Sequence, residues 1–138
     1  MKYLVIGSNS DIAVEYINNV SSNIINTIVT LSRNSNADIS INWTEGYVPL
    51  STLQLEKCMS WNVLISFIGS QLPVGPIHSL DPQEIINSVS VNFTYQFALI
   101  SQLIKVRAID RPAKLILFAG GGTNNAPINY SPYITSKI

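Results

Sequence analysis

Four short runs rich in apolar and β-branched residues, at 2–6, 27–31, 61–68 and 114–119, alternate with stretches of helical periodicity, and this alternation constrains the fold most. Runs this continuously apolar belong to strands buried on both faces, as in a parallel sheet. The intervening helices supply the cover, so the fold class expected is α/β, in three layers around a parallel sheet.

The helices announce themselves by spacing and by their ends. Ile12, Ala13, Tyr16, Ile17 and Val20 share one face of a helix over 11–20, with Ser10 or Asp11 as its cap. Residues 38–42 alternate weakly and read as a third strand, and Leu50, Leu53 and Leu55 hint at a short helix. Pro73, Gly75 and Pro76 make 71–79 a loop. Asp81-Pro82-Gln83-Glu84 then opens a helix with an acidic cap, proline in the first turn and glutamate three residues past the cap. Helical spacing continues over 85–109, apolar around most of its circumference, which implies burial on more than one side. Ser131-Pro132 starts a last helix. No repeat or boundary interrupts the chain, so 1–138 is expected to be one domain.

The bulk numbers narrow the function classes. Of 138 residues, 46% are hydrophobic and 12% charged, the opposite of a disordered chain. Net charge is zero and no basic tract exists, so no nucleic-acid partner is expected. No apolar run reaches the roughly 18 residues of a membrane span, and the initial run breaks at Gly7, too soon for a signal peptide. Cys58 stands alone, which excludes an intrachain disulfide, suits a reducing cytoplasm and reads as a buried small hydrophobe. The single histidine, His78, falls in a loop and reads as a surface residue, and no metal is called for.

The first strand runs directly into Gly7-Ser8-Asn9-Ser10-Asp11-Ile12-Ala13 and a helix. Backbone N–H groups and the helix dipole at such a turn attract an anion, and a pyrophosphate fits it. Gly7 permits the sharp turn and Ala13 close packing of helix on strand; Asp11 stands where the usual fingerprint has a second glycine, so its carboxylate must turn outward or cap the helix. An ordinary strand-to-helix turn would look the same at a lone glycine. Arg33 closes the second strand, where a guanidinium can pair with the 2′-phosphate of NADP and an acid would bind the ribose of NAD; with no acid there, NADP is favoured, NAD being the other choice. A solvated surface arginine is the plainer alternative.

Tyr133-Ile134-Thr135-Ser136-Lys137 places a phenol and an ammonium one helical turn apart on one face. A nearby ammonium favours the phenolate, which makes such a pair a workable acid and base. In isolation this spacing is common; after a fifth strand in this element order it is informative. Here the chain resembles the short-chain dehydrogenase/reductase family over essentially its whole length, with its Rossmann-like fold. Gly7 to Ala13 resembles that family's glycine-rich loop, Asn42-Trp43-Thr44-Glu45 the segment that meets the adenine, and Ser66-Phe67-Ile68-Gly69 its Asn-Asn-Ala-Gly, of which only Gly69 remains. Val91-Asn92 matches the helix asparagine that holds a proton-relay water, a polar residue satisfied among packed helices being the plainer alternative, and Tyr133 with Lys137 matches the catalytic pair.

The resemblance implies Tyr133, Lys137, Asn92 and Thr123 as catalytic residues. Gly7, Ser8, Asn9, Ser10, Asp11, Ile12, Arg33, Asn42, Gly69 and Lys137 would bind cofactor. Tyr133 would exchange a proton with the substrate oxygen, and Lys137 would tune the phenol and hold the nicotinamide ribose. The implied activity is hydride transfer between NADP(H) and a small-molecule carbonyl or alcohol, a sugar derivative among the candidates. A homo-oligomer would form through the helices at 85–109 and 131–138.

Two departures qualify it. The family's serine lies thirteen positions before the tyrosine, which here is Gly120, so Thr123 or the backbone of the glycine stretch must stand in. Otherwise the chain is a dinucleotide-binding regulator or scaffold without chemistry. The family also continues through further strands, so the chain is expected to be a truncated form whose fifth strand leaves an apolar sheet edge. A receiver or flavodoxin-like domain has a natural length here but wants clustered acids; strand order 3-2-1-4-5 supports the dehydrogenase resemblance and 2-1-3-4-5 that rival.

Overall fold

The computed structural model describes residues 1–43, 45–119 and 128–137. Two compact units make up the chain: Met1–Phe67 with Leu99–Leu117, and Ile68–Ala98 with Phe118–Ile138.

The first unit holds the sheet. Its strands are β1 (Lys2–Ile6), β2 (Thr27–Ser32), β3 (Ile39–Ser40), β4 (Val63–Ser66) and β5 (Lys114–Leu117), all parallel, in the order β3-β2-β1-β4-β5. This is the order 3-2-1-4-5 and removes the receiver-like rival. Leu4 sits beside Val29 and Leu64 in register, and Val5 beside Thr30 and Ile65. Helix α1 (Asp11–Ser21) lies on one face, where Ala13, Tyr16 and Ile17 pack with Val5, Ile28, Ile65 and Phe67. Leu4, Ile6 and Leu64 point the other way by strand alternation and are equally sealed from solvent, so both faces are covered.

The same unit contains α2 (Thr52–Cys58), whose cap Ser51 and N3 residue Gln54 form a reciprocal capping box. The Cys58 thiol is fully buried there and pushed up to about 11 by that burial, so it behaves as a small hydrophobe. β5 is the outer strand, and Leu115, Ile116 and Leu117 remain 41%, 37% and 37% exposed.

The second unit holds α3 (Pro82–Val89), a π-helical turn over Ser90–Thr94, and α5 (Ser131–Lys137), which packs against both. A helix α4 (Tyr95–Ile104) continues from the π turn. The helical region opens at Pro82, as the Asp81-Pro82 signal predicts, but it changes pitch in the middle and stops at Ile104 rather than 109. Beyond that stop Ala108 donates its N–H to the Trp61 carbonyl at 2.9 Å, outside any helical ladder. The strand expected over 61–68 shortens to β4 because Trp61 makes only an isolated bridge to Arg107 while its indole N–H donates to the Leu103 carbonyl at 2.7 Å. The loop at 71–79 contains a single 3-10 turn, Ile77–Ser79, where His78 is exposed. No helix among the described residues is long and apolar enough to cross a membrane.

Candidate functional site

The candidate residues fall into two sets, one in each unit. In the first unit, three connections leave the carboxyl ends of β1, β2 and β3, and these carry Gly7 to Ile12, Arg33 and Asn42. Because the strands are parallel and adjacent, all three lie on one rim of the sheet. Gly7 extends the β1–β2 ladder, donating its N–H to the Leu31 carbonyl at 2.8 Å, and then turns with φ of +74°, which a side chain would strain. The cap of α1 is Ser10, whose hydroxyl accepts from the Ala13 N–H at 3.2 Å.

The first-turn N–H groups of Asp11 and Ile12 precede any intrahelical partner, so the turn offers backbone donors to an anion. Asp11 opens the helix with an exposed carboxylate, the outward disposition expected of it. Arg33 is exposed and makes no ion pair among the described residues. The acid nearest the second strand in sequence, Asp38, is occupied: one carboxylate oxygen accepts from both the Thr30 N–H and its hydroxyl, each at 2.8 Å. A guanidinium with no acid competing for it at the strand end, together with the bare N–H groups of the turn, fits a phosphorylated dinucleotide. Asn42 is exposed just after β3.

In the second unit, Lys137 and Asn92 meet the same three-residue backbone, 68–70. The Lys137 ammonium donates to the Ile68 carbonyl at 2.7 Å, and its stem lies against Gly69, where an added Cβ would sit 3.5 Å from Cε and Nζ. Burial alone pushes the Lys137 ammonium below its ordinary range. Asn92, in the π turn and fully buried, grips Ser70 from both sides: its Oδ1 accepts from the Ser70 N–H at 2.7 Å and its Nδ2 donates to the Ser70 carbonyl at 2.9 Å. The second Nδ2 hydrogen goes to Ser88 Oγ at 3.4 Å, and the Asn92 carbonyl accepts from Gln96 Nε2 at 3.4 Å.

Asn92 therefore positions the backbone that receives Lys137. Tyr133 is half-buried one turn before Lys137 on α5. Gly120 and Thr123 lie outside the described residues. The sequence reading missed Ser70 and Ser88; both act through contacts that no spacing rule encodes.

No family model matches the sequence, and neither does any curated protein. Solved structures do match in three dimensions. A protein from Listeria innocua superposes with a TM-score of 0.78 at 16% identity, covering 99% of this chain and 64% of that one. A short-chain dehydrogenase/reductase from Burkholderia vietnamiensis gives 0.74 at 15% identity, with 99% and 73% covered. One from Saccharomyces cerevisiae gives 0.79 at 12% identity, with 99% and 60% covered. The chain has the Rossmann-like fold of the Burkholderia and yeast short-chain dehydrogenase/reductase structures, and it spans under two thirds of the Listeria and yeast proteins.

Proposed function

We propose that the chain is an NADP-dependent oxidoreductase of the short-chain dehydrogenase/reductase kind, acting on a carbonyl or alcohol. The observation that carries the reading is the joint engagement of backbone 68–70 by Lys137 and Asn92, on the helix bearing Tyr133 and on the π turn it packs against. The residues of the β1 turn would bind the pyrophosphate through backbone N–H groups, Arg33 the 2′-phosphate, and Asn42 the adenine. The nicotinamide, when bound, supplies or accepts the hydride. Tyr133 would hand its phenolic proton to the substrate oxygen, or take one from the alcohol in reverse. Lys137, held by the Ile68 carbonyl, would keep a positive charge beside that exchange and hold the ribose. Asn92 acts through Ser70, as a positioning residue.

NADPH titration followed by turnover on a carbonyl panel tests the reading. Tyr133→Phe should lower turnover by about 100-fold or more and leave NADPH affinity unchanged; full activity removes Tyr133 from the chemistry. NADPH binding without turnover in the unmodified chain favours a regulatory or scaffold role, the reading that Gly120 at the family's serine position supports. A second subunit is part of the proposal. Phe93 and Phe97 stack at 4.8 Å yet stay 50% and 45% exposed within the 85–109 stretch expected to pair.

A further inference from the structure

The second unit contains a cleft of about 410 Å³ between the 70–80 loop and α3, within the size range of small-molecule pockets. Bonds to Asn92 and Asn129 and one within the loop hold it. Ser70 is gripped by Asn92, Gly75 donates to the Asn129 carbonyl at 2.9 Å, and Ser79 folds back on the Pro76 carbonyl at 2.9 Å. Gly75 also approaches so closely that an added Cβ would sit 3.0 Å from Leu80 Cδ2, which fixes Leu80 as a wall.

The apolar part of the lining is Leu72, Pro73, Val74, Leu80 and Val91. The rest of the lining, Ser70, Glu84, Asn87 and Ser88, is polar, and its free hydrogen-bonding capacity is legible. Asn87 Oδ1 is taken by Gln83 Nε2 at 3.1 Å, which leaves its NH₂ to donate. Ser88, buried, accepts from Asn92, and Ser70 Oγ accepts from the Leu72 N–H at 3.4 Å, so each hydroxyl keeps its proton to give. Glu84 is the one charged group among the lining residues, and none of them is basic.

We infer that this cleft takes a neutral polyhydroxylated carbonyl compound, its C–H face against Pro73 and Leu80, its oxygens facing Asn87, Ser88 and Ser70, and one hydroxyl donating to Glu84. Carboxylated or phosphorylated analogues are rejected by the Glu84 carboxylate, which nothing cationic in the lining offsets. The inference rests on the proposed oxidoreductase reading for the carbonyl, since Ser70 links the cleft to the backbone that holds Lys137; the binding preference stands apart from it.

The test pairs D-fructose with 2-keto-D-gluconate, a neutral ketose and an anion on a six-carbon skeleton, in saturation-transfer NMR and in NADPH oxidation. Fructose should bind at least about tenfold more tightly than the keto acid. Glu84→Gln should erase most of that gap, and Val74→Trp, at an exposed position that fills the cleft without touching the core, should abolish binding of both. Should binding follow this pattern without NADPH oxidation, the cleft assignment stands and the oxidoreductase reading falls. NADPH oxidation with equal use of both compounds, unchanged in Glu84→Gln, overturns the cleft assignment and leaves the oxidoreductase reading. Binding unaffected by Val74→Trp overturns the assignment as well.

Discussion

Replacing Asn92 by alanine should loosen the backbone that carries Lys137, and the size of the effect follows from the contacts. The substitution removes two short hydrogen bonds to Ser70, at 2.7 and 2.9 Å, and a longer one to Ser88. Each of the short bonds is worth about 1 kcal/mol net. Ser70 is half-buried, so water recovers part of what its N–H and carbonyl lose, while the vacated space at a fully buried position adds to the cost. The total is about 2–3 kcal/mol, a fall of roughly 10 °C in Tm for a chain of this size. Urea denaturation gives the free energy, and hydrogen exchange at the Ser70 amide reports the clamp directly. Asn92→Asp sharpens the test, because a carboxylate still accepts from the Ser70 N–H but turns a second acceptor on the Ser70 carbonyl. That variant should be weak at neutral pH and recover on acidification, when the acid can donate. Stability within about 0.5 kcal/mol of the parent and an unchanged Ser70 exchange rate in Asn92→Ala would refute the clamp.

Three further outcomes are expected. Arg33→Ala should weaken NADP by about tenfold or more and NAD little, by fluorescence titration; equal losses refute the 2′-phosphate role. Stability should fall as pH rises from about 9 toward 11, because the buried Cys58 thiol ionises near 11 in the fold and near 9.0 in the unfolded chain, so the unfolded state gives up its proton first. That difference amounts to about 3 kcal/mol. Tyr16 and Tyr47, pushed up by burial, act in the same direction and Lys137, pushed down, in the opposite one. The difference in pH slope between parent and Cys58→Ala isolates the thiol, and identical slopes would show it is not the source. Serine at Phe93 and Phe97 should yield a monomer in sedimentation if that face pairs, and an unchanged mass would move the interface elsewhere.

The centre of the sheet was legible because β1 and β4 are burial patterns written in consecutive residues. β1 spans the expected 2–6, since an apolar run meets Gly7 and the chain must turn there. Ser10 capping, the Asp81-Pro82 start of α3 and the burial of Cys58 follow equally local rules. Ends set by distant partners were not legible. Trp61 looks like strand but spends its indole on Leu103, and Ile109 continues the apolar spacing past the end of α4 while standing 93% exposed. The third strand shrank to Ile39–Ser40, with Asp38 diverted to Thr30. The π turn at Ser90–Thr94 has no local signature, yet it carries the asparagine that grips Ser70.

The same distinction accounts for the segment Ser66-Phe67-Ile68-Gly69, which shares only its glycine with the pattern it resembles. Ile68 contributes a carbonyl oxygen to Lys137, and Ser70 contributes an N–H and a carbonyl to Asn92. Any residue at 68, and any but proline at 70, supplies those atoms, so the side chains there are left to packing and to the cleft. Gly69 differs because a Cβ added there would sit 3.5 Å from Cε and Nζ of Lys137. That separation is ordinary van der Waals contact for a methyl group, so Gly69→Ala should leave the Lys137–Ile68 bond intact. A larger side chain at 69 should displace the ammonium. What the segment must preserve is a backbone path with room above one residue, a requirement compatible with 12–16% identity over a shared fold.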